Sequence, residues 1–506
     1  MKEQEKTKEQ AEFGDFQTPP ELAAKVCSLL LSEGLKPATI IEPTCGVGNL
    51  LQAALDCFPN SRHAIGLDIS SEYIRMAALA IEAGSPQQTV RFVQGSFFQT
   101  DWSAILKDLP DPLLVIGNPP WVTNAHVSVL GGANLPQKSN FQRHGGMDAM
   151  TGKSNFDISE SMLLSILRWF DRRNGTLSLL CKTNVARKIL VYAWRNGMKI
   201  CDLSMRRIDA AQYFKASVDA CMLTCTFDTN RHDTLCPVFN NIDDEQASQV
   251  LAYRRGQLIA DLALYERWKH LEGKPLRKWR SGIKHDCAKV MELEQNGSGF
   301  RNGLGETVDI EMEYIFPMLK SSDIANGSGL NPRRWMIVTQ SSIGEETCQI
   351  KSTAPKTWKY LQSHAQMMGN RGSSIYKNRP AFSIFGVGSY SFAPWKVAIS
   401  GLYKTLQFTV VGNLSGKPIM LDDTVNFIPC YSASEARYIA DILNSLPAKE
   451  FFHSIAFWDA KRPVTVELLH RLDLIALARE MGTTREMTDY LSLREATDPQ
   501  QMALQL

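Results

Sequence analysis

The run Leu113-Leu114-Val115-Ile116-Gly117 passes without a break into Asn118-Pro119-Pro120-Trp121. An uninterrupted apolar stretch of this kind is expected to be a buried strand. Two prolines have no N–H to give to a sheet ladder, so the strand must stop there, with the carbonyls of Asn118 and Pro119 projecting from its end. That geometry suits an exocyclic amine, because Asn118 Oδ1 and the Pro119 carbonyl can each accept one of its two N–H groups. Trp121 adds a flat face on which a planar ring can stack. A plain Pro-rich loop is the alternative, and the position of the run at a strand end argues against it.

A second set of residues has the spacing of a nucleoside-cofactor site. Glu42-Pro43-Thr44-Cys45-Gly46-Val47-Gly48-Asn49-Leu50 follows another apolar run. Two glycines one residue apart let the backbone turn tightly and pass close to a ligand before a helix N-terminus. No Lys-Ser/Thr pair follows, so the turn is not a P-loop. The Glu42 carboxylate would repel a phosphate, whereas it suits a cationic amino-acid group or a sulfonium. Roughly 20 positions beyond such a turn, an acid at a strand end commonly binds the two ribose hydroxyls. Asp68, in Gly66-Leu67-Asp68-Ile69, has that position. A helix N-cap is its plainer role, for which Ser70 and Ser71 compete.

These turns need a scaffold that gathers strand ends. Apolar runs at Ala38–Ile41, Ala64–Gly66, Val90–Val93 and Leu113–Gly117 alternate with helical spacing over Glu21–Leu31, Leu50–Phe58 and Glu72–Ala83. Ile158–Phe170 reads as a further helix, and Thr176–Cys181 and Ala220–Phe227 as further strands. The alternation predicts a parallel α/β sheet with helices on both faces, which binds ligands at the carboxyl ends of its strands. The polar stretch Asp228–Gln246 is expected to separate a domain over 1–235 from another over 245–506. In the second the period is irregular. Phe382–Tyr390 and Trp395–Tyr403 read as strands, and Glu435–Leu446 and Val466–Glu480 as helices.

The 506 residues are 44% apolar and 21% charged, with a formal net charge of +2, which fits a globular chain of two or three domains. No stretch approaches the ~20 apolar residues of a membrane span. The opening MKEQEKTKEQAEF lacks the apolar core of a signal peptide. Eleven cysteines without a CxxC pair point to a reduced, cytoplasmic chain without structural zinc. The near-neutral balance gives no overall sign of nucleic acid, so basic clusters such as Lys274, Arg277, Lys278 and Arg280 gain meaning only from the motifs.

Taken in order, those motifs resemble the γ class of adenine-N6 DNA methyltransferases of the stand-alone restriction–modification type. Phe16-Gln17-Thr18-Pro19-Pro20 resembles the class's N-terminal motif, which folds onto the methionine end of S-adenosylmethionine and would bring Thr18 and Pro19 to the cofactor. Glu42, Thr44, Gly46 and Gly48 match the first cofactor motif, and Asp68 with Ile69 the ribose-binding position. Asn118, Pro119, Pro120 and Trp121 are similar to the catalytic Asn-Pro-Pro-aromatic motif. Phe214, in Tyr213-Phe214-Lys215-Ala216-Ser217-Val218, resembles the late aromatic that contacts the flipped base. The likeness covers residues 13–227, and Pro317–Asp323 looks, less specifically, like the target-recognition half. One position departs. Where the class carries an Asp for the cofactor's adenine amine, this chain has Gly95-Ser96-Phe97-Phe98. Ser96 can still accept a hydrogen bond and Phe97 can pack on the adenine, with weaker cofactor binding expected.

The resemblance implies a Rossmann-like S-adenosylmethionine-dependent methyltransferase sheet followed by a mixed, β-rich recognition domain. It implies double-stranded DNA as substrate, bound by one chain as a monomer, no metal and no membrane, and leaves a cognate restriction endonuclease open as a partner. The target base must be flipped out of the stack, with Trp121 and Phe214 as its stacking partners. Sequence readout is expected from the second domain, above all from Met368–Lys404, where Arg371, Tyr376, Lys377, Arg379, Ser383 and Lys396 mix charge, aromatic and hydrogen-bonding groups. Three other readings stay open: the same chemistry on cytosine N4, methylation of a protein amide or an RNA base, and a silent DNA-binding subunit suggested by Ser96.

Overall fold

The computed structural model describes residues 16–84, 87–122, 157–297, 299–327 and 332–495. It divides into two compact units, Met1–Leu262 and Ala263–Leu506. The first is built on a ten-stranded sheet. Its order is β3 (Thr89–Gln94), β2 (His63–Asp68), β1 (Thr39–Glu42), β4 (Leu113–Gly117), β5 (Gly175–Lys182), β7 (Ala220–Phe227), β6 (Ile200–Ile208), β8 (Leu235–Phe239), β9 (Gln249–Arg254) and β10 (Gln257–Ile259). The strands from β3 to β5 pair in parallel, and β7 lies antiparallel between β5 and β6.

Every residue of β1 and β4 is buried, as expected of parallel strands covered on both faces. Helices α1 (Pro20–Ser32) and α2 (Asn49–Cys57) supply Leu22, Val26, Leu50 and Leu51 to the same core as Ile40, Leu114 and Ile116. Helix α3 (Ser71–Ala83) begins with Ser70 as its N-cap, accepting the Tyr73 N–H at 3.3 Å. Among the described residues, further helices of this unit are α4 (Trp102–Leu106), α5 (Ile158–Leu167), α6 (Thr183–Arg195) and α7 (Ala210–Phe214). From β1 the chain winds outward through β2 and β3, then returns to place β4 on the other side of β1. The connections therefore diverge at the β1/β4 boundary and open a crevice beyond the carboxyl ends of those strands.

The boundary expected near residues 235–245 does not end this unit. Leu235–Phe239 pairs in parallel with β6 through Met205↔Val238, and β9 and β10 extend the same sheet to Ile259. The physical reason is burial. Cys236 and Val238 are 0% exposed, and this short apolar strand is masked in sequence by the charged loops on either side. Strand β6 and helix α6 are also additions to the expected elements. The charges of β6 hide it, yet Arg206 is buried there, its guanidinium 3.7 Å over Phe239 and donating to the Ile242 and Asp244 carbonyls.

The second unit is mixed and β-rich. One sheet has the order β14 (Thr307–Val308), β13 (Gly299–Asn302), β12 (Glu292–Asn296), β16 (Arg334–Ile337), β15 (Ile315–Leu319) and β21 (Met420–Leu421). Another runs β11 (Arg280–Ser281), β22 (Val425–Cys430), β17 (Trp395–Ser400) and β18 (Thr409–Val411), and β19 (Asn413–Leu414) pairs with β20 (Lys417–Pro418). The expected strand at Phe382–Tyr390 is absent. Phe382 and Gly386 have φ of +60° and +72°, which breaks the alternation of an extended chain. The expected helix Val466–Glu480 is two helices, Val466–Leu469 and Leu474–Glu480, because Asp473 caps the second by accepting the Ile475 and Ala476 N–H groups. Among the described residues no helix is long and apolar enough to cross a membrane.

Candidate active site

The ends of β1, β2 and β3 are stitched together by their own polar groups. The Cys45 N–H donates to the Leu67 carbonyl at 2.8 Å, and the Gly95 N–H to the Asp68 carbonyl at 2.9 Å. Asp68 Oδ2 accepts the Gly46 N–H at 2.9 Å and Oδ1 the Ser70 N–H at 2.8 Å. The acid expected to meet a ribose thus also orients the glycine turn. Gly46 and Gly48 have φ of +50° and +88°, which favours glycine. A Cβ on Gly48 would lie 2.9 Å from that of Ala77 in α3, so this glycine serves close packing as well as the turn.

Residues Phe16–Pro19 cross this turn. Gln17 Oε1 accepts the Val47 N–H at 3.0 Å, and Asn49 Nδ2 donates to the Thr18 carbonyl at 2.9 Å. Thr18 is buried, and a Cβ on Gly46 would fall 2.1 Å from Gln17 Oε1. Pro19 is the N-cap of α1, its carbonyl accepting the Ala23 N–H. The N-terminal motif and the glycine turn are therefore one assembly. Within it, Glu42 Oε2 and Thr44 Oγ1 are buried without a hydrogen-bond partner among the described residues. Complete burial pushes the Glu42 carboxyl well above the usual carboxylate range, opposed by the Leu51 N–H and reinforced by the Asp68 charge.

The same segment fixes Asn118. Asn118 Nδ2 donates to the Phe16 carbonyl at 2.9 Å. Its Oδ1 is buried and has no partner among the described residues. With the amide nitrogen committed, the oxygen has a defined orientation and an unused acceptor capacity. Three aromatic rings, Phe16, Trp121 and Phe214, pack against one another beside this segment. Trp121 lies 5.0 Å from Phe214 and 5.7 Å from Phe16, and Phe16 lies 6.0 Å from Phe214. Trp121 and Phe214 meet edge to face at 72°. They are in mutual contact, whereas a ring sandwiched between two others needs about twice the ~3.5 Å contact distance. A base held by both rings must part them or touch them at their edges.

Two cofactor expectations divide. Ile69 is 53% exposed beside Asp68, an apolar side chain left uncovered at the crevice. Phe97, expected against an adenine, is instead 3% exposed, its ring 5.5 Å from Trp102 and 5.9 Å from Trp169. The turn after β3 directs Phe97 into the core and leaves the adjacent Phe98 half-buried. Ser96 sits in that turn, its carbonyl accepting the Thr100 hydroxyl at 2.8 Å.

In the second unit the expected recognition residues separate by burial. Lys396 is 1% exposed, and its ammonium donates to the Ala393 and Ile419 carbonyls at 3.0 Å each. Arg371 donates to the carbonyls of Met368, His285 and Ser383 and stacks 3.6 Å over Tyr376. Lys396 is thus withdrawn from base contact, Arg371 is half-buried with Nε and Nη1 committed to its own unit, and Ser383 is buried too. Lys377 and Arg379, flanking Asn378 at φ +59°, are exposed, and their side chains make no hydrogen bond or ion pair with the described residues.

No family model matches the chain. The type II methyltransferase M.NspV of Nostoc sp. is 46% identical over 477 residues, which cover 94% of this chain and 98% of that protein. The chain belongs to the type II methyltransferases. Among solved structures, the type IIL restriction-modification enzyme MmeI in complex with DNA has a TM-score of 0.50 at 12% identity. It covers 91% of this chain, and this chain spans 64% of its length. A class I S-adenosylmethionine-dependent methyltransferase structure from Listeria monocytogenes matches 45% of this chain and 67% of its own, at 16% identity and a TM-score of 0.32.

In this methyltransferase two neighbours of the site carry no motif signal. Lys182, the last residue of β5, donates to the Trp121 carbonyl at 2.7 Å and to Asp157 Oδ2 at 2.7 Å. In sequence they lie 61 and 25 positions apart from Lys182, so only parallel pairing of β4 with β5 brings them together. The one available hint is that Lys182 ends an apolar strand, where site residues gather in an α/β sheet.

Proposed function

We propose that this type II methyltransferase is the modification enzyme of a restriction–modification system, methylating N6 of an adenine flipped out of duplex DNA at a specific sequence. The observation that carries the reading is Asn118. Its Oδ1 is a buried acceptor with no partner among the described residues, oriented by the Nδ2 bond to Phe16 at the end of β4. A buried polar atom without a partner costs free energy, about 1–3 kcal/mol, and such atoms concentrate where a ligand completes them. An exocyclic amine supplies the missing donor, the second N–H going to the Pro119 carbonyl.

S-adenosylmethionine is the methyl donor, its sulfonium methyl being the electrophile. The residues present fit it: the buried Glu42 carboxyl and Thr44 hydroxyl, the glycine turn fixed by Asp68, and exposed Ile69. An adenine amine is a weak nucleophile because its lone pair is delocalised into the ring. Accepting both N–H bonds holds the nitrogen near tetrahedral geometry and stabilises the positive charge that develops on it as the methyl arrives. Trp121, Phe214 and Phe16 exclude water and bear on the base at their edges, so orientation supplies much of the remaining gain. Lys377 and Arg379 are the candidates for DNA contact in the second unit.

Genomic DNA from a methylation-free host expressing the protein should carry N6-methyladenine at one short sequence when read by modified-base sequencing. N4-methylcytosine at that sequence, or unmodified DNA beside methylated protein or RNA, would replace this reading.

A further inference from the structure

The Asn118–Trp121 turn cannot hold itself by sheet hydrogen bonds. Pro119 and Pro120 have no N–H, and their rings fix only their own φ angles. The remaining torsions between Asn118 and Trp121 are soft, so an acceptor pair that must meet one amine needs anchors from outside. Upstream, the anchor is Asn118 Nδ2 on the Phe16 carbonyl at 2.9 Å. Downstream, β5 provides two. The Trp121 indole N–H donates to the Leu180 carbonyl at 3.4 Å, and its backbone carbonyl accepts the Lys182 ammonium at 2.7 Å. The second is charge-assisted and so the stronger.

The ammonium is itself fixed. Asp157 Oδ2 accepts from it at 2.7 Å, while Asp157 Oδ1 accepts the Ser159 N–H at 3.1 Å and its hydroxyl at 2.5 Å, capping α5. The two side chains are 20% and 9% exposed. The Ile158 N–H also donates to the Val122 carbonyl at 2.9 Å, tying the start of α5 to the residue after the turn. Register adds rigidity, because Gly117 lies opposite Leu179 and Lys182 ends the strand that flanks β4.

We propose that Lys182, held by Asp157, is a positioning residue for methyl transfer. It tethers the Trp121 carbonyl and so sets the placement of the Pro119 carbonyl and the Trp121 ring against the substrate base. It touches neither cofactor nor base. The inference rests on the reading of Asn118–Trp121 as the amine-binding turn. A small misplacement of reacting groups costs up to ~100-fold in rate, and that is the scale expected here.

The test uses the full chain with duplex DNA carrying the sequence it methylates. Lys182→Met should lower the single-turnover rate at saturating cofactor and DNA by roughly ten- to a hundredfold. Calorimetric affinity for S-adenosylmethionine and the KM for DNA should stay within about threefold, the signature of an interaction felt at the chemical step. Lys182→Arg, which keeps a charged donor, should recover most of the rate, and a residue that merely fills space would show no such rescue. Asp157→Asn keeps the shape and the helix cap and should slow transfer by about three- to tenfold. It decides the matter alone if Lys182→Met does not fold. Wild-type rates in Lys182→Met, or in Asp157→Asn where that variant decides, overturn the proposal. Asn118→Ala is run beside them. If it too transfers at the wild-type rate, the reading of the turn has failed; if only it is slow, the turn stands and Lys182 has no positioning role.

Discussion

The turn at Asn118–Trp121 and the segment Met368–Lys404 are both rich in polar and aromatic groups, yet they dispose of their leading polar side chains in opposite ways. At the turn, one end of the Asn118 amide is tied to Phe16 and the other is buried without a partner. In the segment, Lys396 satisfies carbonyls of its own unit and is withdrawn from any ligand, and Arg371 commits Nε and Nη1 in the same way. The segment's lone buried side-chain atom without a partner among the described residues is Ser383 Oγ, away from any strand end. A single unsatisfied atom at a strand end therefore says more about function than a dense mixture of cationic side chains. The difference arises because the sheet dictates where the turn lies, whereas in the segment strand β17 turns Lys396 inward and no regular element directs Arg371.

The largest expected effect tests the turn. Asn118→Ala should lower single-turnover methyl transfer by at least ~100-fold, as for loss of one donor or acceptor aimed at developing charge. Cofactor and DNA affinities should change little, because the lost interaction acts in the transition state. A comparable loss in binding instead of rate would make Asn118 a ground-state ligand and blur the contrast.

A smaller effect separates the two kinds of cation in the segment. Arg371→Ala leaves the Met368, His285 and Ser383 carbonyls without their donor, and should destabilise the protein by about 2–3 kcal/mol. Arg379→Ala should shift stability by no more than about 0.5 kcal/mol. It should weaken DNA binding instead, either lowering the salt slope by about one or relaxing one base pair by ~1–3 kcal/mol. Chemical denaturation and methylation of single-mismatch duplexes read the two arms. Equal stability losses, with equal DNA effects, would erase the distinction.

The effect that is smallest per unit of pH concerns Lys396. Burial pulls its ammonium down to about 7, with the nearby Cys430 opposing. The unfolded chain, at the ordinary value of 10.5, then binds more protons throughout the interval between the two. Stability should rise with pH from about 7 towards 10.5, by about 1 kcal/mol over the first unit, and fall back as pH drops through 7. Lys396→Met should flatten that rise in pH-dependent thermal unfolding. An unchanged slope would mean that Lys396 is charged and solvated, and would restore it to the surface candidates.

Much of the catalytic unit was legible because its signals are local. Prolines that stop a buried strand, glycines at positive φ and an acid at the next strand end each act through their own backbone, and the structure gathers Asn118, Gly46, Gly48, Asp68 and Thr18 in one region. The extent of the sheet was not legible, since the charges of β6 and of the loop before β8 conceal buried residues such as Val238. Nor was the direction of Phe97. Two adjacent phenylalanines look alike in sequence, and only the packing of Trp102 and Trp169 decides which one turns inward.

By itself the sequence determined the order of the parts proposed to do the chemistry: an N-terminal strap, a turn for the cofactor, a position for its ribose and a strand end for the amine. Residue type and spacing suffice there, because each part depends on torsions and hydrogen-bonding capacity within a few residues. Tertiary structure alone decided which groups are left free to act. Lys182 meets Trp121 across a parallel strand pair, and Lys396 vanishes into its unit while Arg371 turns Nε and Nη1 onto its own carbonyls. Burial and partnership are properties of distant residues brought into contact, and no local pattern of side chains encodes them.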